Sequence, residues 1–86
     1  MNLLIVEDEV QLADALAEIL HRNKYHVDTV YNGEDGLHYA STGIYDCIVL
    51  DIMLPILDGI SVLRMLRKQK ISTPVLLLTA KSDVIL

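Results

Sequence analysis

The sequence has no tryptophan and no phenylalanine, and only one cysteine and two prolines among its 86 residues. Its aromatic complement is four tyrosines, Tyr25, Tyr31, Tyr39 and Tyr45, scattered so that ordinary packing accounts for them. With Cys47 alone, an internal disulfide is excluded. Set in an apolar run, Cys47 reads as a reduced, buried, inert thiol. Seven basic residues against twelve acidic ones leave a net charge of -5. That deficit argues against nucleic acid as a direct partner, because phosphate binding depends on basic patches. It permits a divalent cation. No apolar run reaches the ~18 residues of a membrane span. Acidic Glu7, Asp8 and Glu9 follow too few apolar residues for a signal peptide. A cytoplasmic protein without membrane contact is expected.

What is present is apolar. The hydrophobic fraction is 52% and the mean hydropathy +0.40. Either its elements are covered on both faces or some apolar surface is meant for a partner. "NLLIV" (2–6) is a continuous apolar run and reads as a strand buried on both faces. Residues 9–21 predict a helix whose large apolar residues cover about half its circumference. "YHVDTV" (25–30), partly polar, suits an edge strand. In "NGEDGLHYAS" (32–41), Asn32 is placed to cap a short helix with Glu34 and Asp35 in its first turn. "CIVLD" (47–51) is a third strand, followed by a turn at Pro55. Asp58 then caps a helix to about Lys68. "TPVLLLTA" (73–80) is a fourth strand, and "KSDVIL" is read as the start of a helix capped by Ser82.

Strands alternating with helices imply a parallel sheet covered on both faces. With the polar second strand at an edge and right-handed crossovers, the strand order is 2-1-3-4. The first helix then lies alone on one face, and the second and third share the other. The fold class is α/β, a doubly wound parallel sheet. In such sheets the functional crevice lies beyond the carboxyl ends of the strands, where the order reverses. Glu7 and Asp8 end the first strand there, and Asp51 ends the third. Three converging carboxylates repel one another, and a hard cation such as Mg²⁺ is the natural remedy. Thr79 ends the fourth strand at the same rim and offers a hydroxyl. Metal, carboxylate and hydroxyl together suggest phosphoryl chemistry with aspartate as covalent acceptor. The plainer alternative is that acidic residues at strand ends only cap the next helix. It fits Glu7 and Asp8 better than Asp51, because Asp58 is the residue placed to cap the helix after strand three.

"LLIVEDE", "NGEDGL", "YDCIVLDIMLP", "DGISVLRMLR" and "TPVLLLTAK", in this order and spacing, resemble the receiver domain of two-component response regulators. The type attached to winged-helix DNA-binding domains is the most similar. The resemblance implies a flavodoxin-like fold, a sensor histidine kinase as partner and Mg²⁺ as cofactor. It implies that Asp51 is the phosphoacceptor and that Asp8 and Asp51 bind the metal directly. Met53 would complete the metal site through its backbone carbonyl, Glu7 would act through water, and Thr79 would be the switch hydroxyl. Pro55 and Gly59 match positions that shape the turn. Members of the family continue through a fourth helix, a fifth strand with a phosphoryl-contacting lysine, and a fifth helix. Residues 1–86 are therefore read as a truncated receiver, its N-terminal portion, with impaired phosphorylation and no independent turnover of substrate expected.

Strand four is expected to leave its outer edge unpaired, which invites self-association as a dimer or by exchange of elements. His21, His26 and His38 share no ligand spacing and are expected to face solvent. Arg64, Arg67, Lys68 and Lys70 read as a solvated face. One rival is a Mg²⁺-dependent aspartyl phosphatase, whose second aspartate would fall at Met53. The other is an interaction module with a vestigial site.

Overall fold

The computed structural model describes residues 1–78 with their side chains and the backbone of a strand at 83–85. The elements run β1 (Asn2–Val6), α1 (Val10–Arg22), β2 (His26–Val30), α2 (Gly33–Ala40), β3 (Cys47–Asp51), α3 (Gly59–Lys68), β4 (Val75–Leu78) and β5 (Asp83–Ile85). The sheet order is β2-β1-β3-β4-β5. β1 to β4 are parallel, in the expected 2-1-3-4 order.

Period-two alternation sorts the central strands between two layers. Leu4, Val6, Ile48, Leu50, Val75 and Leu77 point toward α2 and α3, where Val62 and Leu66 pack on them with no exposure. Leu3, Ile5, Cys47 and Val49 point the other way, toward Ala13, Leu16, Ala17 and Leu20 of α1. One helix cannot cover the width of this second face. Ile5, Leu16, Ile19, Leu20, Val49, Leu76 and Leu78 accordingly line an apolar groove of 320 Å³ beside α1. Cys47, expected to be buried, is only half-buried on this face, and burial still raises its thiol pKa.

The helices start and stop for local reasons. Asn32 Oδ1 accepts from Asp35 N–H at 2.8 Å, and Asp58 Oδ1 accepts from Ser61 N–H at 2.9 Å, so both expected caps form. α1 and α3 end alike. Lys24 (φ 68°) and Lys70 (φ 61°) turn the chain into the left-handed region. Tyr25 N–H then donates back to Leu20 O, and Ile71 N–H to Leu66 O, which satisfies carbonyls the helix leaves open. Arg67 ties the exit of α3 to β4 by donating to Ile71 O and Thr73 O. All three histidines are exposed, as are Arg64, Arg67, Lys68 and Lys70. Tyr45 is more than packing material: its buried hydroxyl donates to Asp28 Oδ2 at 2.6 Å. Burial, and then the neighbouring Asp28 carboxylate, push the Tyr45 pKa up.

Two expectations are corrected beyond β4. The segment read as the start of a helix contributes a strand at 83–85, and that strand pairs antiparallel with β4, Leu76 opposite Ile85 and Leu78 opposite Asp83. The edge of β4 is thus covered, because "DVI" supplies its ladder partners, and the strand-edge route to self-association is closed along Leu76–Leu78. β5 contains no lysine and runs against its neighbour. It is not the lysine-bearing strand that the resemblance implies.

Leu66 seals the layer shared by α2, α3 and the sheet. Leu66→Ala is expected to lower the unfolding free energy by about 2–5 kcal/mol, read from urea denaturation with an unchanged slope.

Candidate metal and phosphoacceptor site

The carboxyl ends of β1 and β3 are neighbours, with Val6 opposite Leu50. The residues that follow therefore emerge side by side. Carboxylate oxygens of Glu7, Asp8 and Asp51 all lie within 4.8 Å of one another. The three differ in setting: Glu7 is buried at 5% exposure, Asp8 is exposed and Asp51 lies between.

Glu7 is held twice. Its backbone N–H donates to Val30 O at 3.1 Å, and its Oε2 accepts from Glu9 N–H at 3.0 Å. Glu9 begins α1 without a side-chain cap of its own. The plainer role weighed from the sequence is thus partly real, since Glu7 serves the entry of α1 and lines the cluster. Burial raises its pKa from 4.5 to about 7, against the lowering effect of the Glu9 N–H; Asp8 and Asp51 add to the rise. A carboxylate in this state is stabilised by any cation that enters.

Asp51 Oδ1 accepts from Met53 N–H at 3.2 Å. The Met53 side chain is 74% exposed, so only its backbone belongs to the site. The loop from 52 to 58 is tightly wound. Leu54 N–H and Gly59 N–H both donate to Ile52 O, at 3.2 and 2.9 Å. Leu57 N–H donates to Pro55 O at 2.8 Å across Ile56, whose φ is +73°. A β-branched residue in that region is strained, and Ile56 is also 76% exposed. Gly59 closes the loop against β3, where a Cβ would stand 2.1 Å from Asp51 O.

The donor set fits a hard divalent cation. It is all oxygen, has three potential charges and sits at the rim of the sheet. The structure brings Glu7, Asp8 and Asp51 together and places Met53 two residues beyond Asp51. Thr79 lies outside the described residues. Two features escaped the sequence reading. "LPILDG" gives no warning that Ile56 must take a positive φ, because that position is usually marked by glycine or asparagine. Gly33 follows a helix cap, and nothing adjacent to it in the chain reveals that the loop at 57 rests on it.

Residues 3–86 match the family model of the response regulator receiver domain. Over 83 residues, 96% of the chain, it is 49% identical to the transcriptional regulatory protein DltR of Streptococcus agalactiae. It is 51% identical over 83 residues, 95% of the chain, to the response regulator ArlR of Staphylococcus aureus. In both cases it spans 37% of the relative's length. Among solved structures, response regulator TrrA from Thermotoga maritima, in complex with Mg²⁺ and BeF, superposes with a TM-score of 0.86 at 38% identity. That match covers 94% of this chain and 70% of TrrA.

The site makes two demands on stability. Folded Glu7 holds its proton more tightly than the unfolded chain does. Its stabilising contribution is complete below pH 4.5 and is lost as pH rises to about 7. Without divalent cations, urea unfolding at stepped pH should show stability declining across that window, and Glu7→Gln should flatten the decline. Ile56→Gly removes the strain and sacrifices little buried surface, so it should raise the unfolding free energy by about 1 kcal/mol, read as a higher urea midpoint.

Proposed function

The chain belongs to the response regulator receiver domain family, and on that footing we propose that Asp51 accepts a phosphoryl group from the phosphohistidine of a sensor histidine kinase. Residues 1–86 act as the N-terminal portion of the receiver, in the cytoplasm, and the output is control of transcription. The observation that carries the reading is the convergence of Glu7, Asp8 and Asp51 within 4.8 Å.

The residues divide the work. Asp51 is the nucleophile, through the carboxylate oxygen that Met53 N–H does not hold. That oxygen forms a bond to phosphorus as the P–N bond of the phosphohistidine breaks. The electron pair leaves with the imidazole nitrogen, and Asp51 becomes an acyl phosphate. Asp8 and Asp51 would hold Mg²⁺ directly, Met53 through its carbonyl and Glu7 through water. Bound there, Mg²⁺ supplies positive charge to the transferring phosphoryl oxygens. Glu7, clamped by Glu9 N–H, would place its carboxylate beside Asp8, where an entering cation would displace the proton that burial favours. Thr79, one residue past β4, is the hydroxyl proposed to meet the phosphoryl group. The chain takes part in its own modification and turns over no separate substrate. An aspartyl phosphatase would need an acid at position 53, where an exposed methionine stands.

Incubation with Mg²⁺ and acetyl phosphate should label the wild type, and labelling should fall to background in Asp51→Asn. Beryllofluoride with Mg²⁺ should shift the NMR signals around Asp51. Equal labelling of the wild type and Asp51→Asn would refute the assignment.

A further inference from the structure

We infer that Gly33 is a positioning residue for the metal-binding loop, setting through the Leu57 carbonyl where the Met53 backbone stands. The inference rests on the functional reading above and adds a residue to it. Gly33 is the first residue of α2 and is buried. A Cβ built on it would stand 1.6 Å from Leu57 O, 2.6 Å from Leu57 C and 3.0 Å from Leu57 Cβ. Only hydrogen fits there, and it points at the carbonyl oxygen. The neighbour is backbone, so no rotamer change can make room.

The contact matters because of what Leu57 belongs to. Leu57 N–H closes the strained turn over Ile56, and Gly59 N–H pins the same loop to Ile52 O. Two short links separate Leu57 from Met53: the Pro55–Leu57 turn and the Ile52–Leu54 turn. A loop wound this tightly moves as a unit. The far end is fixed where Gly59 abuts Asp51 O. The near side is fixed by Gly33, on a helix whose own start is tied down by Asn32. A methyl group at 33 would displace the Leu57 carbonyl, and the displacement would be carried toward Met53. The strained φ of Ile56 persists because both supports hold the loop in place.

Mg²⁺ binding by isothermal titration, alongside thermal melts, tests this. Gly33→Ala should fold and weaken Mg²⁺ binding about tenfold, as loss of an outer support typically does. Leu66→Ala, a destabilising change in the same layer away from the loop, should bind Mg²⁺ like the wild type. In the wild type, NMR titration with Mg²⁺ should shift the Gly33 and Met53 amides with one common midpoint. This second readout does not depend on the variant folding. Unchanged affinity in folded Gly33→Ala, an equal loss in Leu66→Ala, or a Gly33 amide that stays fixed while Met53 moves would overturn the inference alone. Absence of any Mg²⁺ response in the wild type would overturn the functional reading and this inference together.

Discussion

Three carboxylates held within 4.8 Å of one another are the constraint around which this structure is arranged. Left free, Glu7, Asp8 and Asp51 would separate, because like charges at such distances disfavour joint ionisation. The sheet denies them that freedom. β1 and β3 are adjacent parallel strands, and Leu3 to Val6 of the first and Ile48 and Leu50 of the second are buried. Their ends cannot move apart without exposing Val6 and Leu50. The hydrophobic effect thus supplies the force that holds the charges together; burial first, and then the neighbouring Asp8 and Asp51, push the Glu7 pKa up to about 7. A divalent cation relieves what the sheet imposes.

The loop after Asp51 shows the same logic in the backbone. A chain free to choose would not put Ile56 at a φ of +73°. It does so here because the loop must return from Asp51 to the start of α3 within a few residues. Gly59 and Gly33 allow approaches that a side chain would forbid, 2.1 Å and 1.6 Å from carbonyl oxygens had a Cβ been present. Both glycines place backbone against backbone, which is stiffer than contact through side chains. Carboxylates and loop are therefore supported from different directions, the first by strands and the second by α2 and α3.

Much of this was legible in the sequence for physical reasons. Continuous apolar runs marked β1 and β3. The polar residues of 25–30 marked β2 as an edge, and crossover handedness then fixed the order as far as β4. Asn32 and Asp58 announced their helices because capping is local. The carboxylate cluster followed from strand order alone, since strand ends in a doubly wound sheet have a known destination. What escaped depends on contacts between segments far apart in the chain. Gly33 meets Leu57 only after α2 and α3 pack on the same face. Asp28 looked like a mark of an edge strand, yet it accepts from Tyr45, seventeen residues away. The "DVI" strand escaped because three residues carry too little periodicity to separate strand from helix.

The two faces of the sheet are not equally complete, and the difference falls in a particular place. On the α2–α3 side, Leu4, Leu50, Val62, Leu66 and Val75 are fully or almost fully buried. On the α1 side, Val49, Leu76 and Leu78 remain half-buried along the groove. The elements that carry Glu7, Asp8, Asp51 and Met53 draw their support from β1, β3, α2, α3 and the first turn of α1. The flanking strands add to it through their backbones: Val30 O of β2 accepts from Glu7 N–H, and Leu78 O of β4, opposite Asp51 in the ladder and beside the groove, accepts from Ile52 N–H at 3.1 Å. The site and the groove therefore share β4, whose side chains line the groove while its backbone holds Asp51 in register. Glu7 and Asp51 follow Ile5 and Val49 in the strand alternation, so the carboxylates stand at the rim of the incomplete face, and whatever comes to lie against Leu76 and Leu78 lies against the strand that keeps Asp51 in register.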